Sequence, residues 1–440
     1  MTFNSAQELR GFNCQLSNYK WYEKILIIAA ICLQFLALAG EQKKPALGLS
    51  RKSAVELALR NNQDLKAVKE GINAARGRAS QSGRLDNPVL GAEYGNDVLF
   101  SDEGEYSVKA SISQKFPLFG RLAKERDVGN IDIKLASLEY EDACRKLSLD
   151  VENAYLDALE KKAVSDARCA LLKATQELAK ELKAASEKAE VSALEVRRAE
   201  SESSKLQIEI MRDEVDFAAA LSRLKVLIGV SPDVDINLAE KLAEIPIPTE
   251  KFSRQTLESR PDWQMYSIAE ESANARIALL KAGRFEDVEV EVFFEASESV
   301  DEPVGKSREK ILGLSFSVPL PFKSYDGGIE EQLSLRKQAQ ARSAAKENQI
   351  MAEISLYRLR ANKYAQILKK HRVEVEEVSG EIYGEYLTAR REARAGIADV
   401  FGAWQTHLQM KLTGVSILAE QARNSIALKY ALALEDKNEK

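Results

Sequence analysis

The chain repeats one long unit, and this duplication constrains its fold more than any other feature. Each copy predicts the same order of elements, namely helix, strand, strand, long helix and long helix. The first copy covers residues 40–228 and the second covers 252–435. The matching segments are Ser53–Lys69 with Phe252–Ile268, Asn87–Tyr94 with Val288–Ala296, Lys115–Leu118 with Ser317–Leu320, and Ala193–Val196 with Ile397–Val400.

Four segments alternate apolar and polar residues, which predicts strands with one apolar and one polar face. Their lengths suit strands that cross a bilayer at a tilt. A soluble antiparallel sheet with one face on a core would show the same alternation. Four strands cannot close a membrane barrel, so a membrane-crossing sheet here requires several chains to share one barrel. The predicted strands are about 88–95, 106–116, 288–296 and 311–319.

Two long helical hairpins, 121–228 and 326–435, carry heptad repeats that predict left-handed supercoils. One apolar stripe runs from Ala199 to Leu227, and another runs from Ile354 to Ile382 with an unbroken 3-4 spacing. Between Arg121 and Ile228 there is no proline and one glycine, so an arm near 100 Å is expected. The hairpin turns are predicted around Glu187–Ser192 and near Arg391–Gly396.

The two ends of the first repeat are marked by other signals. Lys20 and Lys24 precede the apolar run Ile25–Leu38, which ends in an A-x-A pattern at Ala39. Residues 1–39 therefore predict a signal peptide, since the run is short for a membrane-spanning helix. Residues 229–251 carry several prolines and predict a linker packed on the outside of the body.

Composition argues against several classes of function. The net charge is −5 and no block is strongly basic, so nucleic-acid binding is not expected. Two histidines and four cysteines leave little for a metal centre, and His407 with Met410 would supply only two ligands. No phosphate-binding loop, nucleophile elbow or zinc-protease motif occurs. We therefore expect neither an enzyme nor a cofactor.

In this order and spacing, the motifs resemble those of the TolC-like outer membrane efflux proteins. The resemblance extends from Leu49 to Leu434. The variants Phe-Pro-Leu-Phe-Gly and Pro-Leu-Pro-Phe look most like the CzcC-like branch, which serves heavy-metal efflux. The segments that carry the resemblance are Phe116–Gly120, Leu227–Asp233, Arg260–Asp262, Val318–Phe322 and Gly327–Gly328.

The resemblance implies a mainly α fold with a small β part, assembled as a homotrimer. Three chains would share a 12-stranded β-barrel in the outer membrane, in contact with its lipid, and an α-helical barrel in the periplasm. Segments Gly95–Glu105 and Ser297–Lys310 would be external loops. The trimer would be a passive exit duct that joins a periplasmic adaptor and an inner-membrane pump in a Gram-negative-type cell, with heavy-metal cations as the cargo of the CzcC-like branch.

The resemblance also points to acidic positions. Asp399 matches a position at the periplasmic tip that carries an acid in this family, and Glu195 is its counterpart in the first repeat. Three-fold symmetry would turn each into a ring of negative charge. One turn later, Gly402 stands where the family pattern can carry a second acid, and Arg198 occupies the corresponding position in the first repeat. The alternative is that both acids face solvent near a turn, since helix turns often carry acids.

The polar face of one predicted strand would add acids to the barrel lumen and suit cations. These lumen candidates are Glu289, Glu291 and Glu295. Lumen charge alone does not separate a metal duct from one for drug efflux or type I protein secretion. A third reading is a soluble periplasmic coiled-coil adaptor with a small sheet, which would be a monomer or dimer without detergent.

Overall fold

The computed structural model describes most of the predicted repeats. It covers residues 47–99, 103–188, 191–284, 286–301, 303, 305–320, 326–392 and 394–434. The predicted signal peptide, and Pro321 and Phe322 of the second motif, lie outside the described residues. The chain divides into two compact units, and the described part of the smaller one is 47–49 with 233–237. The larger unit holds the described helices and the four-stranded sheet.

The elements follow the predicted order in both repeats. The strands are β1 (Leu47–Leu49), β2 (Val89–Asn96), β3 (Tyr106–Phe116), β4 (Ile236–Leu238), β5 (Val288–Asp301) and β6 (Gly305–Ser317). The helices are α1 (Arg51–Asn61), α2 (Gln63–Gln81), α3 (Arg121–Glu187), α4 (Ala193–Ile228), α5 (Arg254–Glu258), α6 (Pro261–Ala282), α7 (Asp326–His371), α8 (Val378–Arg391) and α9 (Ile397–Ala431), with a π-helical turn at Arg372–Glu377. The mainly helical fold with a small sheet is confirmed.

The first long hairpin is built from uninterrupted helix. Helix α3 has 67 residues and is therefore about 100 Å long. The side chain of Ser192 caps α4 by accepting a hydrogen bond from the Leu194 N–H at 3.2 Å. Gly229 ends α4 with a φ of 66°, and a Cβ there would lie 2.9 Å from the Asn61 carbonyl. Only glycine fits this helix end without strain.

The two repeats meet in one antiparallel sheet of order β2-β3-β5-β6. Pairing of β3 with β5 joins them, for example Ile112 opposite Val292. Strands β2 and β6 form the two edges of this sheet. Every junction with a helix lies at one end of the sheet, and the turns between β2 and β3 and between β5 and β6 lie at the other. A separate two-stranded sheet pairs β1 with β4.

The second predicted loop is shorter than the sequence indicated. Ser297–Lys310 was expected to be a loop, but β5 continues to Asp301 and β6 begins at Gly305. Glu298 accepts a hydrogen bond from Arg308 at 2.9 Å and pairs with Lys306 at 3.3 Å. These cross-strand ion pairs hold together a hairpin whose Ser-, Glu- and Lys-rich sequence has low strand propensity.

The predicted heptad stripe from Ile354 to Ile382 is confirmed as far as His371, but the prediction is wrong beyond that residue. The π-helical turn inserts one extra residue, which moves the buried side of the helix by one position. Ser379 is therefore buried, whereas Val378 and Ile382 are 42% and 45% exposed. The apolar pattern alone could not show this shift, because contacts with α9 determine which side of α8 is buried.

The helices form two layers that share α3 and α7. In the layer next to the sheet the contact order is α2–α3–α6–α7, and in the layer away from it α4–α3–α9–α7, with α8 continuing α7. The free edges are thus α2 and α4 on one side, and α7 with α8 on the other. None of the described helices is both long and apolar enough to cross a membrane.

The linker between the repeats is tied down by a buried amide. Gln421 accepts a hydrogen bond from the Ile245 N–H at 3.2 Å and donates one to the Ile245 carbonyl at 2.7 Å. Its side chain is fully buried, so both of its polar ends are satisfied. Nearby, Ile247 and Phe252 pack on the core formed by α7 and α9.

The opening of the second repeat contains a buried charge network. Arg260 is 2% exposed and makes two hydrogen bonds to Asp262, at 2.9 and 2.6 Å. It also donates to the Ala431 carbonyl at 3.0 Å, at the end of α9. Arg145 of α3 and Lys346 of α7 complete the surroundings of Asp262. One carboxylate therefore joins α3, α6 and α7, and Arg260 adds α9.

Candidate functional site

The two hairpin ends pack together around a small apolar core, which we call the tip core. It brings the end of α3 and the starts of α4 and α9 into contact. Phe401 and Trp404 meet edge to face with ring centroids 5.7 Å apart. The buried members of the tip core are Leu171, Leu182, Val196, Ala199, Leu206, Ile397, Phe401 and Trp404.

Glu195 lies beside the tip core and links the two hairpins. It is in the first turn of α4, and its Oε2 accepts a hydrogen bond from Nη2 of Arg390, near the end of α8, at 2.5 Å. Both side chains are partly buried, with 30% and 17% of their surface exposed. The sequence pointed to Glu195 but not to Arg390, because no pattern reveals a partner on the other repeat.

Asp399 has a different local role. Its Oδ2 accepts a hydrogen bond from the Gly396 N–H at 3.1 Å, so it caps the start of α9. The two predicted tip acids thus have separate partners in the described contacts. Gly402, one turn on, lies in open space, since a Cβ there would meet no atom within 4 Å. Within this chain, a larger side chain such as an acid would therefore fit at position 402.

The π-helical turn is flanked by reciprocal histidine–glycine contacts, and these involve both histidines of the chain. His371 lies against Gly414 of α9, and His407 of α9 lies against Gly380 of α8. A Cβ on either glycine would come within 3.2 Å of the imidazole. Each glycine therefore lets a ring approach the facing helix backbone, and the two contacts pack the end of α7 and the start of α8 closely against α9.

His407 also contacts the side of α8 that the π-helical turn buries. Its Nδ1 lies 3.0 Å from the Ser379 hydroxyl, and its ring stacks on Tyr383 at a centroid distance of 6.1 Å. Burial lowers the pKa of His407, Lys411 lowers it further and Glu376 partly opposes this, so the surroundings favour the neutral imidazole. Ser379, Tyr383 and Arg390 all lie on the side of α8 that the π-helical turn selects.

Deleting Glu377 is expected to preserve the tip, whereas inserting one alanine after it should disrupt the tip. The deletion removes the surplus residue, so α7 can continue into α8 as α-helix with Ser379 and Arg390 in their present register. The insertion adds a second surplus residue and should cost about 1 to 3 kcal/mol. Thermal unfolding of both variants checks this. Equal destabilisation would contradict the assigned register.

The apolar face of the four-stranded sheet is not covered by any other part of the described chain. Side chains of its apolar face are among the most exposed, for example Leu90 at 78% and Leu314 at 57%. A soluble sheet of this length would bury that face against a core. The outward apolar side chains are Leu90, Tyr94, Tyr106, Val108, Ile112, Val292, Phe294, Leu312, Leu314 and Phe316.

The opposite face carries the predicted lumen acids, but it also carries lysines. In the strand register Lys115 lies opposite Glu289, and Lys109 opposite Glu295. Lys109 forms an ion pair with Glu291 at 3.0 Å. The acids singled out by sequence therefore share their face with cations on β3. On the same face the Phe293 ring of β5 lies over Gly313 of β6, where a Cβ would be only 2.3 Å from the ring.

The described residues contain no metal centre. No group of three or more His, Cys, Asp or Glu side chains is arranged to hold an ion among them. Cys144 and Cys169 are unpaired thiols.

Comparison with known proteins agrees with this architecture. Residues 54–230 match the model of the family described as outer membrane efflux protein. No curated protein matches the chain. Among solved structures, CusC is similar with a TM-score of 0.71 and 15% identity, over 90% of this chain and 95% of that one. The outer-membrane channel OprN has a TM-score of 0.70 and 16% identity, over 87% and 89%. The Campylobacter jejuni CmeC outer membrane channel has 0.70 and 15%, over 87% and 85%.

At these identities the solved structures define the fold. The chain has the fold of outer-membrane channels, and the matched family segment coincides with most of its first repeat.

Proposed function

We propose that the chain is one subunit of a homotrimeric outer-membrane duct, which conducts substrate passively from the periplasm to the exterior. The observation that carries this proposal is the uncovered apolar face of the four-stranded sheet. A lipid bilayer is the surrounding that such a face requires, and it also requires that no strand edge stays unpaired. The soluble adaptor reading would leave this face in water.

The strand order supports closure by copies of the same chain. Directions alternate across β2, β3, β5 and β6, so β6 of one copy can pair antiparallel with β2 of the next. A head-to-tail contact of this kind generates a ring when the rotation between copies closes. Three copies of the four-stranded sheet would give twelve strands, within the range of membrane barrels. The family resemblance sets the number at three.

The helical edges support the same assembly. On α4, the edge helix, Ile208, Met211 and Val215 form an exposed apolar stripe with 3-4 spacing. On the opposite edge, Ile367 and Ile382 are also exposed. These exposed side chains lie on the sides at which β2 and β6 would meet neighbouring copies, so the two helical edges would cover each other in a ring.

At the hairpin ends we propose a periplasmic aperture. Arg390 and Glu195 tie the two hairpins of one chain, and a three-fold ring would repeat this tie around the opening. Asp399 stays the second aperture candidate, where three copies would place three carboxylates at the tip. The adaptor of an inner-membrane pump would dock on the helical turns, and the pump would supply the energy.

The cargo is proposed from the CzcC-like resemblance and the inner face of the sheet. Glu289, Glu291 and Glu295 would favour heavy-metal cations. Lys109 and Lys115 on the same face favour a second candidate, a duct for drugs or secreted protein that does not select by charge. Cation selectivity of the reconstituted channel would separate the two.

Two adjacent substitutions on β6 test the lipid-facing assignment. Leu314→Arg should sharply reduce the amount of trimer in outer membranes, because a cation at the bilayer midplane costs about 2 to 4 kcal/mol. Ser315→Arg, on the inner face, should leave the amount close to that of the wild type. The measurement is the trimer recovered from purified outer membranes. Normal recovery of Leu314→Arg would refute a lipid-facing sheet.

A further inference from the structure

The hairpin of β5 and β6 carries a group of cations beyond its apolar band. Lys306, Arg308 and Lys310 alternate along β6, so all three lie on one face of the strand. Leu312, next in this alternation, belongs to the apolar face, and the three cations therefore point to the same side. We call these three residues the outward basic patch.

The patch begins where the apolar band ends. In the strand register Lys310 lies opposite Ala296, and Arg308 lies opposite Glu298. The same two rows hold Tyr94 and Tyr106 on β2 and β3. Tyrosines at the rim of an apolar band mark the boundary between lipid tails and headgroups in membrane barrels. The patch thus starts at the headgroup level.

The cations of the patch are available to a ligand. The side chains of Arg308 and Lys306 are 78% and 61% exposed, although both pair with Glu298. In the rows of Lys306, Arg308 and Lys310, the acid on the same face of the sheet is Glu298. Its side chain is 7% exposed. Lys310 has no ion-pair partner among the described residues. Three cations against one carboxylate leave the patch with a net positive charge.

We propose that the outward basic patch binds the phosphate groups of lipid headgroups in the outer leaflet. This inference rests on the proposed outer-membrane duct. The sheet meets its helices at one end only, so the hairpin turns lie at the end away from the periplasm and reach the outer leaflet. Lysine supplies point charges to phosphate, and the arginine fork can bind two phosphate oxygens.

The test measures binding of diphosphoryl lipid A, and of the same lipid with its phosphates removed, to the detergent-purified trimer. The wild type should bind the phosphorylated form about tenfold more tightly or better. The variant K306Q/R308Q/K310Q should lose this preference. Lys310→Gln alone touches no ion pair, so it should fold normally and lose about threefold to fivefold. Added salt should weaken the wild-type preference.

A charge-matched control is K124Q/K180Q/R254Q, which removes two lysines and one arginine that pair with nearby acids on the helices. It should retain the full preference. Equal binding of both lipids by a conducting wild-type trimer would overturn the patch and leave the duct intact. Full preference in K310Q and in the triple patch variant would do the same. Failure to obtain a membrane trimer would overturn both proposals.

Discussion

Replacing Arg390 with glutamine should raise the open probability of the reconstituted channel and its mean conductance in planar bilayers. The substitution removes the charge-assisted hydrogen bond between Arg390 and Glu195 that ties α8 to α4. A partly exposed pair of this kind contributes about 1 kcal/mol. In the proposed aperture three copies of this tie would hold the tip closed, so their loss would shift its closed-to-open equilibrium by about 3 kcal/mol, which exceeds a hundredfold.

Arg391→Gln is the matched control for this prediction. Arg391 is the next residue. Its side chain is 74% exposed, and its ion pair with Glu181 is long, at 3.9 Å. Its loss should leave conductance unchanged. The double variant Glu195→Ala with Asp399→Ala should also conduct more than wild type. Unchanged conductance in both Arg390→Gln and the double variant would refute the proposed closure of the tip by these side chains. It would not affect the fold.

The largest loss of stability is expected for Arg260→Leu. The substitution removes two hydrogen bonds and the nearest cation from the buried carboxylate of Asp262, which keeps Arg145 and Lys346 nearby, and it should cost about 3 kcal/mol. Asp262 would stay buried, and the Ala431 carbonyl would lose its donor. Denaturant unfolding of the detergent-solubilised protein measures the effect. Arg254→Leu, six residues earlier and 85% exposed, is the control and should change stability little.

The same network predicts acid sensitivity. Burial by itself would raise the pKa of Asp262, but Arg260, Arg145 and Lys346 outweigh it and hold the pKa well below the usual value. The ionised carboxylate therefore contributes stability above the ordinary aspartate pKa, and this contribution is lost as pH falls towards the lowered value. Asp262→Asn should flatten this dependence.

Local patterns predicted much of the fold. Strict alternation placed β3 at Tyr106–Phe116, and the absence of helix breakers predicted the length of α3. The stripe from Ala199 to Leu227 is confirmed, since Ala199, Leu206 and Ile210 are buried. These signals work because each depends on neighbours in sequence, through the period of the strand or helix.

Long-range contacts explain what the sequence could not predict. Beside the π-helical turn Ser379 and Gly380 contact His407, whereas the local apolar pattern favoured Val378 at the buried position. In the outer half of the β5–β6 hairpin, Glu298 pairs across the strands with Lys306 and Arg308. At the tip, an acid near a helix turn drew attention to Glu195, but its partner Arg390 belongs to the other repeat. Partners of this kind become visible only in three dimensions.

The measurement that tests the duct most directly is the mass and location of the expressed chain. Outer membranes would be isolated and extracted in mild detergent, and the protein mass in the micelle determined by light scattering. The proposed duct should be a detergent-dependent trimer in the outer-membrane fraction, because its apolar sheet face needs lipid and both sheet edges need neighbouring copies. A monomer or dimer in the soluble periplasmic fraction would contradict it.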